Sequence, residues 1–282
     1  MKLLRYGEIG QERPGVLDPA GGVRSLEAIL GPGGDIGPAL LADPGRLAAL
    51  RALDPDALPA IAPGTRLGCP VAGIGKVVGI GLNYHDHALE CGLEIPKEPI
   101  IFLKATTALS GPGDDIVLPE GGRKADWEAE LGVVIGRTAR RVAPEAALGH
   151  VAGYCVAHDL SERAHQLEHG GQWTKGKSHD GFCPVGPWLV TADEVPDPQA
   201  LDLWLEVDGV SRQSSSTGQM IFPVAFLISY VSRFMTLMPG DLVITGTPAG
   251  VGLGRTPPVF LKPGNRVRLG VTGLGEQHQR VV

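Results

Sequence analysis

The sequence predicts a β-rich α+β fold with a small N-terminal domain, and three observations lead to it. From Gly75 onward, short β-branched runs alternate with glycine and proline. Helical periodicity is confined to a few brief stretches. No glycine-rich turn opens a helix after the first strand, which removes the βαβ series of a dinucleotide-binding sheet.

Residues 1–70 are expected to form the small domain and 71–282 the catalytic one. The first begins with a strand over 2–6, turns at Leu17-Asp-Pro-Ala-Gly-Gly and carries a helical piece over 43–53. A Pro- and Ala-rich stretch, 54–68, reads as a linker. No chemistry concentrates in this part, which suits an accessory role. In the second part, 76–81, 129–135, 151–157, 201–207, 241–244 and 266–271 read as strands. Helices are expected over 83–92, 143–148, 161–169 and 223–234. The 41 glycines are about twice the usual share, and their scatter suits tight turns between short strands rather than a repeat.

Composition removes several function classes. A net charge of −6 without a Lys/Arg cluster argues against nucleic acid. Cys69, Cys91, Cys155 and Cys183 are widely spaced, as expected of buried small residues in a reducing compartment. The start, MKLLRYGEIGQERPG, turns polar after four residues, so no secretory apolar stretch is expected there. The longest apolar run, 221–237, is broken by Pro223, Ser229, Ser232 and Arg233, short of the roughly 18 residues a membrane span needs. A soluble cytoplasmic protein is the expectation. P-loop and GxSxG patterns are missing, so nucleotide and serine-hydrolase chemistry drop out.

The strongest local signal is Asp126-Trp-Glu-Ala-Glu-Leu-Gly-Val-Val-Ile-Gly. Glu128 and Glu130 alternate at the start of an apolar strand, so both carboxylates share a face. Such a pair calls for a counter-charge. A divalent cation with oxygen ligands supplies one; pairing with Arg123 or Lys124 on a solvated edge is the alternative. A second apolar strand ends in His158-Asp159. Asp159 there suits a third ligand, and equally the N-cap of the following helix. In Gly81-Leu-Asn-Tyr-His-Asp-His-Ala-Leu-Glu, His87 and Glu90 share a helical face, as a general base for water requires. Incidental histidines at an exposed helix start give the same pattern, and His85 is spaced to point elsewhere. Lys175 and Lys177 lie in a Gly-containing loop suited to an oxyanion or carboxylate, and Arg163 stands four residues beyond Asp159. The glycine-rich 244–252 is not a Walker loop.

Taken together, these residues resemble the fumarylacetoacetate hydrolase family. Six stretches carry the resemblance in the family's order: GLNYHDHALE, FLKATTALSGP, DWEAELGVVIG, AHDLSERAHQ, QWTKGKS and DLVITGTPAGVG. The resemblance implies a mixed β-roll catalytic domain, a small N-terminal domain and a homodimer or larger homo-oligomer. It implies Mg²⁺ or Mn²⁺ held by Glu128, Glu130 and Asp159. It places His87 and Glu90 on the water-activating pair, Lys177 on the catalytic lysine, and Arg163, Gln166 and Thr247 on substrate-facing positions. Its implied reaction is hydrolysis of a C–C bond in a 2,4-diketo acid, giving pyruvate and a second acid. Decarboxylase or isomerase chemistry on the same scaffold is the neighbouring reading, and a non-catalytic ligand-binding protein a more distant one. The opening KLLRYG, GGQWTKGKS and the closing GLGEQ resemble the bacterial branch acting on 2,4-diketo-3-deoxy sugar acids, of the L-rhamnonate and L-fuconate kind. His179 departs from that branch.

Overall fold

The computed structural model describes every residue except Cys91. Its body is an eleven-stranded mixed sheet. From one edge the order is Val23–Ser25, Arg13–Leu17, Lys2–Tyr6, Cys183–Thr191, Val151–His158, Ala129–Ile135, Leu242–Ile244, Val77–Gly81 and Ile100–Lys104. Leu67–Gly68 and Leu109–Ser110 pair off this path. A four-stranded antiparallel sheet, in the order Val210–Ser216, Asp202–Val207, Arg266–Val271 and Gly275–Arg280, packs against the body.

The central strands are apolar on both sides because the sheet is covered on both. Leu131, Val133 and Ile135 join the core shared with the four-stranded sheet, where Leu203, Leu205, Val267 and Leu269 meet them. Val134 points the other way, into a core with Leu3, Val16, Ile36, Leu40 and Leu47 from the N-terminal residues. On the neighbouring strand Tyr154 and Val156 take the first side, Cys155 and Ala157 the second. The helix Val224–Phe234 buries Val224, Leu227, Ile228 and Val231, spaced by three or four residues, in the first core.

Several expectations shift in detail. The helix expected over 83–92 is formed by His85–Glu90, and its Cys91 lies outside the described residues. The helix expected over 161–169 shrinks to Arg163–Leu167, because Ser161–Glu162 instead pairs with Ala125–Asp126 as a short ladder. The stretch expected to be a linker is tied down: Leu67–Gly68 pairs with Lys2–Tyr6, and Arg66 holds both Glu12 and Asp114. No helix among the described residues is long and apolar enough to cross a membrane.

Candidate active site

Adjacent strands deliver three carboxylates to one point. Glu130 lies near the start of Ala129–Ile135 and Glu128 two residues before it, on the same side of the pleat. Asp159 follows the antiparallel neighbour Val151–His158, and its N–H donates to the Glu128 carbonyl at 3.0 Å. One carboxylate oxygen from each of Glu128, Glu130 and Asp159 lies within 4.8 Å of the others, and all three residues are buried. Asp159 is not the cap of the next helix. Glu162 is, its side chain accepting from the Ala164 N–H. The solvated-edge alternative fails too, since Lys124 pairs with exposed Glu168.

Buried cations brace the cluster. Lys177 Nζ donates to Glu128 Oε2 at 2.7 Å and to Asp159 Oδ2 at 2.6 Å. Arg163 donates to Asp126 Oδ2 at 2.8 Å and pairs with Glu128 Oε1 at 2.7 Å. Lys104 Nζ donates to the remaining Asp159 oxygen and to the Leu160 carbonyl. Asp126, Glu128, Glu130 and Asp159 thus face Lys104, Arg163 and Lys177, one negative charge in excess. The surplus is felt at Glu130. Burial, then Asp159 and Glu128, push its carboxyl far above the usual carboxylate range. Burial also works to raise Glu128, but Lys177 and Arg163 outweigh it and hold that carboxyl well below the range. Desolvation opposes the Lys177 charge, yet Asp159 and Glu128 leave its pKa raised.

A cavity of about 200 Å³ opens over the cluster, with Glu128, Glu130, Arg163, Gln166, Lys177, Thr247 and His87 in its lining. Glu90 stands behind His87, with Nδ1 and Oε2 3.5 Å apart. Burial disfavours the Glu90 charge, but His87 and the Gly250 N–H, which donates at 2.9 Å, lower its pKa on balance. Gln166 accepts from Arg163 at 3.1 Å, and Thr247 Oγ1 donates to the Ala129 carbonyl at 2.9 Å. His85 is exposed, and so is Lys175, whose Nζ donates to the His169 carbonyl. Neither lines the cavity.

The glycine-rich loop after Leu242–Ile244 turns out to serve carboxylates. Its N–H groups donate from Gly246 to Glu130, from Gly250 to Glu90, and from Gly252 to Asp126. Sequence reasoning missed Lys104, Asp126, Gln213 and Trp173. Gln213 accepts from the Ala129 N–H at 2.9 Å and donates to Thr247 Oγ1 at 2.8 Å, so it sets the height of both. Trp173 lines the cavity and packs on Phe102, ring centres 5.6 Å apart. Lys104 carried a usable signal: it is the charged end of an otherwise apolar strand, IIFLK.

Fold and site define a class of enzyme in which a buried carboxylate triad, able to hold a divalent cation, underlies a small cavity. The chain belongs to the fumarylacetoacetate hydrolase family: residues 76–282 match "Fumarylacetoacetate (FAA) hydrolase C-terminal". A Burkholderia cenocepacia protein provisionally named a hydrolase is 57% identical over 281 residues, 99% of this chain and 98% of that one. Among solved structures, maleylpyruvate hydrolase from Sphingobium sp. SYK-6, in complex with manganese(II) ion and pyruvate, is 35% identical. The match covers 100% of this chain and 99% of that one, with a TM-score of 0.83. The 2-hydroxyhepta-2,4-diene-1,7-dioate isomerase of Mycobacterium marinum is 32% identical, covering 100% and 98%, with a TM-score of 0.75.

Proposed function

We propose that the protein is a divalent-metal-dependent hydrolase that cleaves the C3–C4 bond of a 2,4-diketo acid, releasing pyruvate and a carboxylic acid. The observation that carries this reading is the His87–Glu90 pair in the wall of the same cavity as Glu128, Glu130 and Lys177. The manganese and pyruvate of the similar maleylpyruvate hydrolase complex support it.

The donor set fits Mg²⁺ or Mn²⁺: three carboxylates with one uncompensated charge, and no thiol or imidazole among the three. Glu128, Glu130 and Asp159 would hold the cation, which supplies Lewis acidity toward the substrate's keto oxygen. Lys177 must first release the Glu128 and Asp159 oxygens, and its ammonium is then free for substrate. Lys104 stays on Asp159 and keeps that carboxylate aimed.

His87, oriented by Glu90, takes a proton from water, and the hydroxide adds to the C4 carbonyl. Lys177, with Thr247 nearby, stabilises the oxyanion. The C3–C4 bond breaks, its electron pair leaves with C3 as the pyruvate enolate, and C3 takes up a proton. The distal group is a plain acyl chain or, as the sugar-acid resemblance implies, the hydroxylated end of a 2,4-diketo-3-deoxy acid.

A second reading, an isomerase, is favoured by the likeness to the M. marinum isomerase, and an oxaloacetate-type decarboxylase would draw on the same enolate chemistry. That chemistry needs enolate stabilisation but no attacking water, so it leaves His87 without this task. A panel of acylpyruvates and diketo-deoxy acids, assayed for pyruvate release with Mg²⁺ or Mn²⁺, tests the proposal. Release that stops with EDTA and returns with metal is expected; full turnover in excess EDTA overturns it.

A further inference from the structure

We infer that the cavity selects a neutral, apolar group beyond C4, in preference to a carboxylate-ended or polyhydroxylated chain. This rests on the hydrolase reading for its chemistry, but the binding preference has its own observations. The apolar part of the cavity lining is Ile80, Leu82, Phe102, Trp173 and Val251. Its mouth is ringed by Leu93, Ile100, Leu167 and Leu253, which are 55%, 38%, 46% and 36% exposed. Large apolar side chains left in water around one opening mark a surface that meets something apolar.

No lysine or arginine among the described residues of this lining stands ready for a distal carboxylate, and the imidazole of His87 is held by Glu90 beside the carboxylate cluster. Arg163 is committed to Asp126, Glu128 and Gln166, and Lys177 to Glu128 and Asp159. Were Lys177 released, it would remain over the carboxylate cluster, at the reacting end. Arg255, beside Glu90, points a terminal nitrogen at the Arg212 and Gly250 carbonyls and is outside the lining. Partners for several substrate hydroxyls are also short. The Gln166 oxygen already accepts from Arg163, which leaves its amide N–H groups, and Thr247 is bonded to Ala129 and Gln213. A carboxylate brought against this wall would lose water and find no counter-charge.

The similar structures named for maleylpyruvate and for a heptadienedioate act on dicarboxylates by name, so this chain would differ from them at the far end of the substrate. The test compares ligands of equal length that differ at that end alone. Binding of 2-oxohexanoate and of 2-oxoadipate to the Mn²⁺-loaded protein is measured by calorimetry. Tighter binding of 2-oxohexanoate by at least ~10²-fold is expected, the penalty for stranding a charge. Leu253→Arg should narrow the gap by ~10-fold or more. Equal or tighter binding of 2-oxoadipate by the wild type overturns the inference. Turnover is read separately, on butanoylpyruvate and on its carboxylate-ended counterpart. If neither releases pyruvate while the binding order holds, the hydrolase reading falls and the apolar wall stands.

Discussion

The floor and the wall of the cavity are built on opposite principles. In the floor charged groups share partners: Asp159 receives two lysines and Glu128 a lysine and an arginine, all buried, and Glu130 carries the surplus. Removing one member strands the others in a medium where a lone charge is costly, by about 3–5 kcal/mol. The wall is made of apolar side chains, several of them part-exposed, which are held by packing and not by ion pairs. The floor therefore resists variation and, in the proposed reaction, carries the chemistry. The wall can drift, and with it the distal group the cavity accepts.

The largest effect that would break this contrast is loss of the cation. Chelation should abolish activity, and Glu128→Gln or Asp159→Asn should lower it by more than ~10³-fold, since each removes a negative oxygen from the triad. Titration calorimetry should show weakened Mn²⁺ binding in both. Unchanged affinity would place the cation elsewhere.

Next in size is His87, which lines the cavity and, in the proposed reaction, works with the floor. General-base catalysis contributes about 10²–10⁴-fold, so His87→Ala should slow acylpyruvate hydrolysis by that factor with Mn²⁺ affinity near wild type. Any side activity on oxaloacetate, which needs no attacking water, should fall far less. An equal fall in both rates with metal bound would remove the water-specific role.

Lys177→Met should cost about 10²–10³-fold in kcat, the usual loss of one oxyanion donor. It should also leave metal binding intact or tighter, because the ammonium competes for the Glu128 and Asp159 oxygens. Weaker metal binding in this variant would mean that the lysine organises the floor instead of vacating it.

The floor was also the legible half of the site, for the same physical reason. Two glutamates alternating at the start of an apolar run call for a counter-charge, so Glu128 and Glu130 stand out in DWEAELGVVIG, and the strand Ala129–Ile135 was readable to its ends. Cys183–Thr191 escaped because CPVGPWLVT carries two prolines that argue against a central strand. Val210–Ser216 and Gly275–Arg280 escaped because their inward residues are polar. Gln213, Gln277 and Gln279 are buried, and Gln277 Nε2 donates to the carbonyls of Val156, Pro184 and Gly186, so the apolar alternation that marks a strand is missing. Lys104 shows a different limit. Its partner Asp159 lies 55 residues further on, and only the fold brings the two together. The apolar wall is scattered from Ile80 to Leu253, and no local pattern announces it.

The smallest predicted effect tests whether floor and wall are mechanically separate. A Cβ added at Gly81 would meet Trp173 Cζ3 at 2.4 Å, closer than real contacts allow. The indole must shift, and it rests on Phe102, over which the Lys177 ammonium stands at 5.0 Å from the ring centre. The Trp173 carbonyl also accepts the Lys177 N–H at 3.1 Å, so the same element serves both halves of the site. Overpacking of this kind costs about 1–3 kcal/mol. If the indole yields as a side chain, Gly81→Ala should raise KM for a long acyl chain by ~10-fold, with kcat, acetylpyruvate turnover and Mn²⁺ affinity near wild type. If the strain passes through the Trp173 backbone to Lys177, kcat should fall for every substrate alike. The ratio of long-chain to acetyl kcat/KM decides between the two, and an unchanged ratio with a general loss of kcat would show that wall and floor move as one.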